Sequence, residues 1–145
     1  MKALLSWTSG MKLNAMAGNN TLVMDANAPI GKDEGMTPKE LVAAGLGGCT
    51  AMDVIALLKK HKQNHTSMKV EVDIVTTQKG HPSVFENVTI TFDVEGDVDK
   101  NILLESVHLS QTKYCGVSAM ISKACPIHYV VKLNGETIGK GQAQF

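Results

Sequence analysis

Residues 37–60 read TPKELVAAGLGGCTAMDVIALLKK, and this stretch decides the fold. Thr37 suits an N-cap, Pro38 the first helical position, and Glu40 completes a T-x-x-E capping box. Lys59 and Lys60 stand where positive charge favours a helix C-terminus. Between these ends, Leu41 to Leu58 is apolar or small on nearly every face, with Thr50 and Asp53 the polar exceptions. A helix apolar all round is expected to be buried all round. Gly45, Gly47 and Gly48 cost about 1 kcal/mol each relative to alanine inside a helix. They imply close packing of another backbone, free access to the sulfur of Cys49, or both at once.

Outward from this helix, the chain divides into short strands and turns. KALLSW, KLNAMA and TLVMD form a meander broken at Ser9-Gly10 and Gly18-Asn19-Asn20. ANAPIGKDEGM is a loop leading to Thr37. After the helix, MKVEVDIVTT and VTITFDVE alternate: Val70, Val72 and Ile74 share one face, as do Val88, Ile90, Phe92 and Val94. Gly80 to Ser83 forms an exposed turn between them. Helical spacing runs from Asp99 to about Gln111, a second short helix from near Cys115 to Lys123, and a hairpin closes around Asn134-Gly135. The order β-β-β-α-β-β-α-α-β-β predicts an α+β fold in one domain over residues 1–145. The central helix has more apolar faces than one sheet can cover. A second copy of the chain is the expected cover, giving an intertwined homodimer.

The 145 residues carry no net charge, no arginine and few aromatics, which disfavours a nucleic-acid surface or attraction to anionic membranes. The N-terminus lacks the pattern of a signal peptide, and the central helix reads as a core helix, not a membrane span. Three cysteines, an odd number, fit reduced thiols in the cytoplasm.

Cys49 lies mid-helix with Asp53 one turn on, and an ionised carboxylate there raises a thiol pKa. Cys115 stands at the start of a helix with Lys113 nearby, so local electrostatics favour Cys115 as the thiolate. Cys125 reads as a core residue. His61 and His65, spaced i, i+4 near a helix end, read as solvated residues before they read as a metal pair. No metal or cofactor is expected, and no phosphate loop is present, because the glycines of GLGGC lie within a helix.

PKELVAAGLGGCTAMDV followed, 66 residues after its cysteine, by KYCGVSAMISKA resembles the OsmC/Ohr family (osmotically inducible and organic hydroperoxide resistance proteins), nearest the YhfA-like branch. The resemblance implies the OsmC-like fold, an intertwined homodimer, and reduction of organic hydroperoxides by paired cysteines. Cys49 would attack the peroxide and become a sulfenic acid, Cys115 would capture it as a disulfide, and a dithiol reductant would reopen it. On this reading the glycines admit the peroxide and the second sulfur, and Met52 and Met120 line an apolar entrance. The family's peroxidases hold the thiolate with an arginine oriented by a glutamate. Here Lys32 stands near the arginine's place, the glutamate's place falls at Lys39, and Glu40 follows one residue later. Lys32 and Glu40 are therefore candidate site residues beside the two cysteines. The competing reading is a non-catalytic small-ligand-binding or redox-sensing protein on the same dimeric fold; a thiol oxidoreductase or transferase on another substrate is a third.

Overall fold

The computed structural model describes residues 1–145 and forms two compact units, Met1–Val42 and Ala43–Phe145. In the first unit, β1 (Leu4–Ser9), β2 (Lys12–Ala17) and β3 (Asn20–Met24) build an antiparallel sheet in chain order. Gly10 and Gly18 take left-handed backbone angles at its two turns, where a side chain would be strained. The loop after β3 folds around the buried carboxylate of Asp25, which accepts the N–H groups of Ala26, Lys32 and Glu34 at 2.8, 3.0 and 3.2 Å. Lys12 pairs with Glu34 across it.

Helix α1 (Pro38–Lys60) starts as its sequence predicts. The Thr37 N–H donates to Glu40 Oε2 at 2.7 Å, and the Glu40 N–H donates to Thr37 Oγ1 at 3.3 Å, closing the capping box.

In the second unit, β4 (Asn64–Thr76), β5 (Phe85–Asp97), β6 (Ile127–Leu133) and β7 (Glu136–Gln142) form a sheet in the order β4-β5-β6-β7. Pairing is antiparallel except between β5 and β6, which run parallel. A parallel pair requires a crossover, supplied here by α2 (Lys100–Leu109), a π turn (Ser110–Tyr114) and α3 (Gly116–Ile121). Asp99 caps α2 by accepting the N–H groups of Asn101 and Ile102. Asn134 and Gly135 both have positive φ, as a type I′ hairpin demands. Strand β5 buries every second residue: Val88, Ile90, Phe92 and Val94 are fully inaccessible. They pack with Leu46, Val54 and Leu58 of α1, Leu103 and Val107 of α2, and Ile127 and Val131 of β6.

Three expectations change. Helix α1 is not buried all round in the single chain: Leu46, Thr50, Val54 and Leu58 are enclosed, but Met52 is 72% exposed. One sheet covers one face and no more. The helix expected to run to Gln111 ends at Leu109 and widens into the π turn, whose Cys115 N–H reaches back five residues to the Ser110 carbonyl at 3.0 Å. His61 and His65 share no helical face, because α1 ends at Lys60 and His65 already belongs to β4.

Candidate active site at two facing cysteines

Two elements of the second unit bring thiols together. Cys49 sits on α1, half-buried, with Asp53 one turn further on the same side. Cys115 is the N-cap residue of α3 and is fully buried. The two sulfurs and a carboxylate oxygen of Asp53 all lie within 4.8 Å of one another. All three cysteines of the chain are free thiols.

The π turn explains how Cys115 arrives there. By widening the last turn after α2 it directs Ser110 and Gln111, both fully buried, toward the polar residues of α1. Gln111 Nε2 donates to Thr50 Oγ1 at 2.6 Å, the Thr50 and Ser110 hydroxyls meet at 2.7 Å, and Ser110 donates to Asp53 Oδ2 at 3.0 Å. A serine has one hydroxyl proton, and here Asp53 takes it. The proton shared by Thr50 and Ser110 must therefore come from Thr50. The network is a directed chain, Gln111 to Thr50 to Ser110 to Asp53, and it orients the carboxylate beside the two sulfurs.

Burial is the largest influence on Cys115 and raises its thiol pKa above the ordinary value near 9. Ser118 opposes this, first through its side-chain hydroxyl and then through its backbone N–H, which donates to the sulfur at 3.3 Å as expected at a helix N-terminus. The neighbouring Cys49 sulfur raises it further. The expectation that its helix start lowers the Cys115 pKa is thus overturned, because a helix start lowers a thiol pKa only where the thiol is not also stripped of water.

The glycines divide. A Cβ at Gly47 would meet Val72 Cγ2 at 3.0 Å, so Gly47 serves close packing, whereas Gly45 and Gly48 face open space. Ala43, Ala44, Gly47, Gly48, Val70 and Val72 line a groove of about 260 Å³ between α1 and β4. Met120 of α3, like Met52, is exposed.

Lys32 and Glu40 belong to the first unit, and each has a local role there. The Lys32 backbone N–H is held by Asp25, and its side chain is exposed. Glu40 is engaged in the capping box, where the hydrogen bonds from Thr37 lower its carboxyl pKa. Cys125 is buried in the core, which raises its thiol pKa. Sequence reasoning notes Thr50 and Asp53 as polar exceptions in an apolar helix, but not their partners Ser110 and Gln111, about 60 residues away.

Known proteins share this architecture. Protein YhfA of Escherichia coli (strain K12) is 31% identical over 129 residues, covering 88% of this chain and 93% of that protein. A hypothetical protein from Aquifex aeolicus VF5 superposes with a TM-score of 0.78 at 27% identity, over 92% of this chain and 96% of its own. An organic hydroperoxide resistance protein OsmC from Legionella pneumophila shares the fold, with a TM-score of 0.65 at 15% identity over 90% and 95% of the two chains. Residues 31–130 match the family described as OsmC-like protein, and the chain belongs to that family.

Proposed function

We propose that this chain is a thiol-dependent peroxidase that reduces organic hydroperoxides, acting as a homodimer in the cytoplasm. The observation that carries this reading is the pairing of a half-exposed thiol, Cys49, with a fully buried one, Cys115, no farther than 4.8 Å away. The accessible sulfur of Cys49 attacks the outer peroxide oxygen. The O–O bond breaks, an alcohol leaves with a proton, and Cys49 becomes a sulfenic acid. Cys115, shielded from bulk solvent, then attacks the Cys49 sulfur, expels water and closes a Cys49–Cys115 disulfide. A dithiol reductant restores both thiols by exchange. The family assignment and the organic hydroperoxide resistance proteins that share the fold support the substrate class.

Lys32 is the lysine proposed to stand in for the arginine of the family's peroxidases, and Glu40 the carboxylate proposed to orient it. Lysine is a point charge without the guanidinium fork, so it would steady a thiolate less well. The uncovered face of α1 supports a dimer that brings further groups to the cysteines.

Stopped-flow consumption of cumene hydroperoxide and of hydrogen peroxide by the reduced protein tests the reading. The expected result is faster loss of the organic peroxide, abolished in Cys49→Ser, with Cys115→Ser stalling at a sulfenic acid. Reaction no faster than that of a free thiol in solution would overturn it.

A further inference from the structure

We propose that Cys49, Asp53 and Cys115 form a binding site for a thiophilic divalent cation, with zinc the natural occupant. Three potential ligand atoms, two sulfurs and one carboxylate oxygen, come from two different elements and lie within 4.8 Å of one another. Zinc takes sulfur at about 2.3 Å and carboxylate oxygen at about 2.0–2.2 Å, so tetrahedral geometry sets its two sulfurs roughly 3.8 Å apart. Closing the trio onto a metal thus asks for a shift of about an ångström at most. Forming a disulfide bond of about 2.05 Å asks for considerably more.

The surroundings fit a metal as well as the ligands do. Asp53 is already oriented by Ser110, which Thr50 and Gln111 hold in place, the kind of outer support that metal-ligating carboxylates have. One fully buried oxygen of this network, Gln111 Oε1, has no hydrogen-bond partner. A water on the fourth position of the metal is the type of donor that such an oxygen accepts. The chain has no arginine to set a permanent positive charge against this group. Lys113, two residues before Cys115, instead places its ammonium over the Tyr114 ring, 5.4 Å from the centroid. Two thiolates and a carboxylate, gathered without a guanidinium, suit a dication. Three protein ligands with Cys49 and Asp53 partly open to solvent leave room for an exchangeable fourth.

Binding releases the thiol protons of both cysteines. It also excludes the disulfide, because the same sulfur electrons cannot serve both. An organic hydroperoxide would take two electrons from the bound thiolates and, from solution, the two protons released on metal binding, yielding the disulfide, an alcohol, water and the freed metal ion. This redox consequence rests on the proposed peroxidase; the metal site itself does not.

The test is an anaerobic titration of the reduced protein with Co²⁺, followed by displacement with Zn²⁺. Expected are one equivalent per chain, tetrahedral cobalt–thiolate absorption bands, and proton release on binding. Cys49→Ser and Cys115→Ser should each weaken binding on the order of 100-fold, and Asp53→Asn or Ser110→Ala by roughly 10- to 100-fold. Protein pre-oxidised to the Cys49–Cys115 disulfide should bind none. The wild-type titration decides without any variant: absence of thiolate bands overturns the proposal, as does binding retained by the Cys49→Ser/Cys115→Ser double variant. Peroxide turnover is not read in this experiment, so a failed metal site and a failed peroxidase give separate signatures.

Discussion

Helix α1 has two opposed faces that the same kind of sequence treats differently. At about 100° per residue, Leu46, Thr50, Val54 and Leu58 fall on one side, and Gly45, Gly48, Met52 and Ala56 on the other. The first set is fully buried against the sheet of the second unit. In the second set Gly45, Met52 and Ala56 are exposed, and a Cβ at Gly45 or Gly48 would meet nothing. Cys49 and Asp53 fall on the seam between the two faces. A sulfur placed on that seam is held by the core on one side and reachable from the other. The comparison teaches that composition marks a helix for burial, but only packing says which face is buried by the chain itself.

The largest expected effect is on the inner face. Leu58→Ala removes a fully buried side chain from the core and should cost about 2–5 kcal/mol by urea denaturation. A loss below half a kilocalorie would abolish the distinction between the faces. Next is Met52→Glu on the outer face, which should leave the single chain's stability nearly unchanged while weakening its association by about 2 kcal/mol, read by sedimentation. A chain that sediments as a monomer with and without the substitution would remove the proposed cover.

A smaller contrast separates neighbouring glycines. Gly47→Ala presses a methyl group against Val72, an overpacking that costs about 1–3 kcal/mol against a propensity gain of up to about 1. Gly48→Ala in the single chain collects the gain alone, so Gly48→Ala should be the more stable variant in thermal unfolding of dilute protein. Least in size is a pH effect at the seam. Because the Cys115 pKa is raised in the folded chain, the fold retains that proton where the unfolded chain has lost it. The stability this contributes is full below the ordinary thiol value near 9 and is lost as pH rises through the raised value. Denaturation of wild type and Cys115→Ala across that window should show the difference between them narrowing.

The order of elements is legible in the sequence because each signal is local. The Thr37–Glu40 capping box, the alternation through β5 and the Asn134-Gly135 turn all act within a few residues, and all appear as expected. The site is legible only in part. Cys49 and Cys115 are named through the motifs around them, but the direction of the Cys115 pKa shift is misread, since a helix start is visible locally and burial is not. The hydrogen-bonded chain behind Asp53 joins Thr50 to Ser110 and Gln111, and no spacing rule links residues so far apart. Lys32 and Glu40 are engaged locally, by Asp25 and Thr37 respectively, and such local duties compete with any catalytic one.

The π turn keeps the register of the chain while holding one residue too many. Between Ser110 and Tyr114 the backbone carries a residue more than an ordinary helical turn would hold. The wider turn takes up that residue locally, and the Cys115 N–H still closes on the Ser110 carbonyl, five residues back instead of four. An extra residue in a regular helix would instead turn everything after it by about 100°. Cys115 would then point away from Cys49. The wide turn is what lets the longer chain keep its two sulfurs face to face.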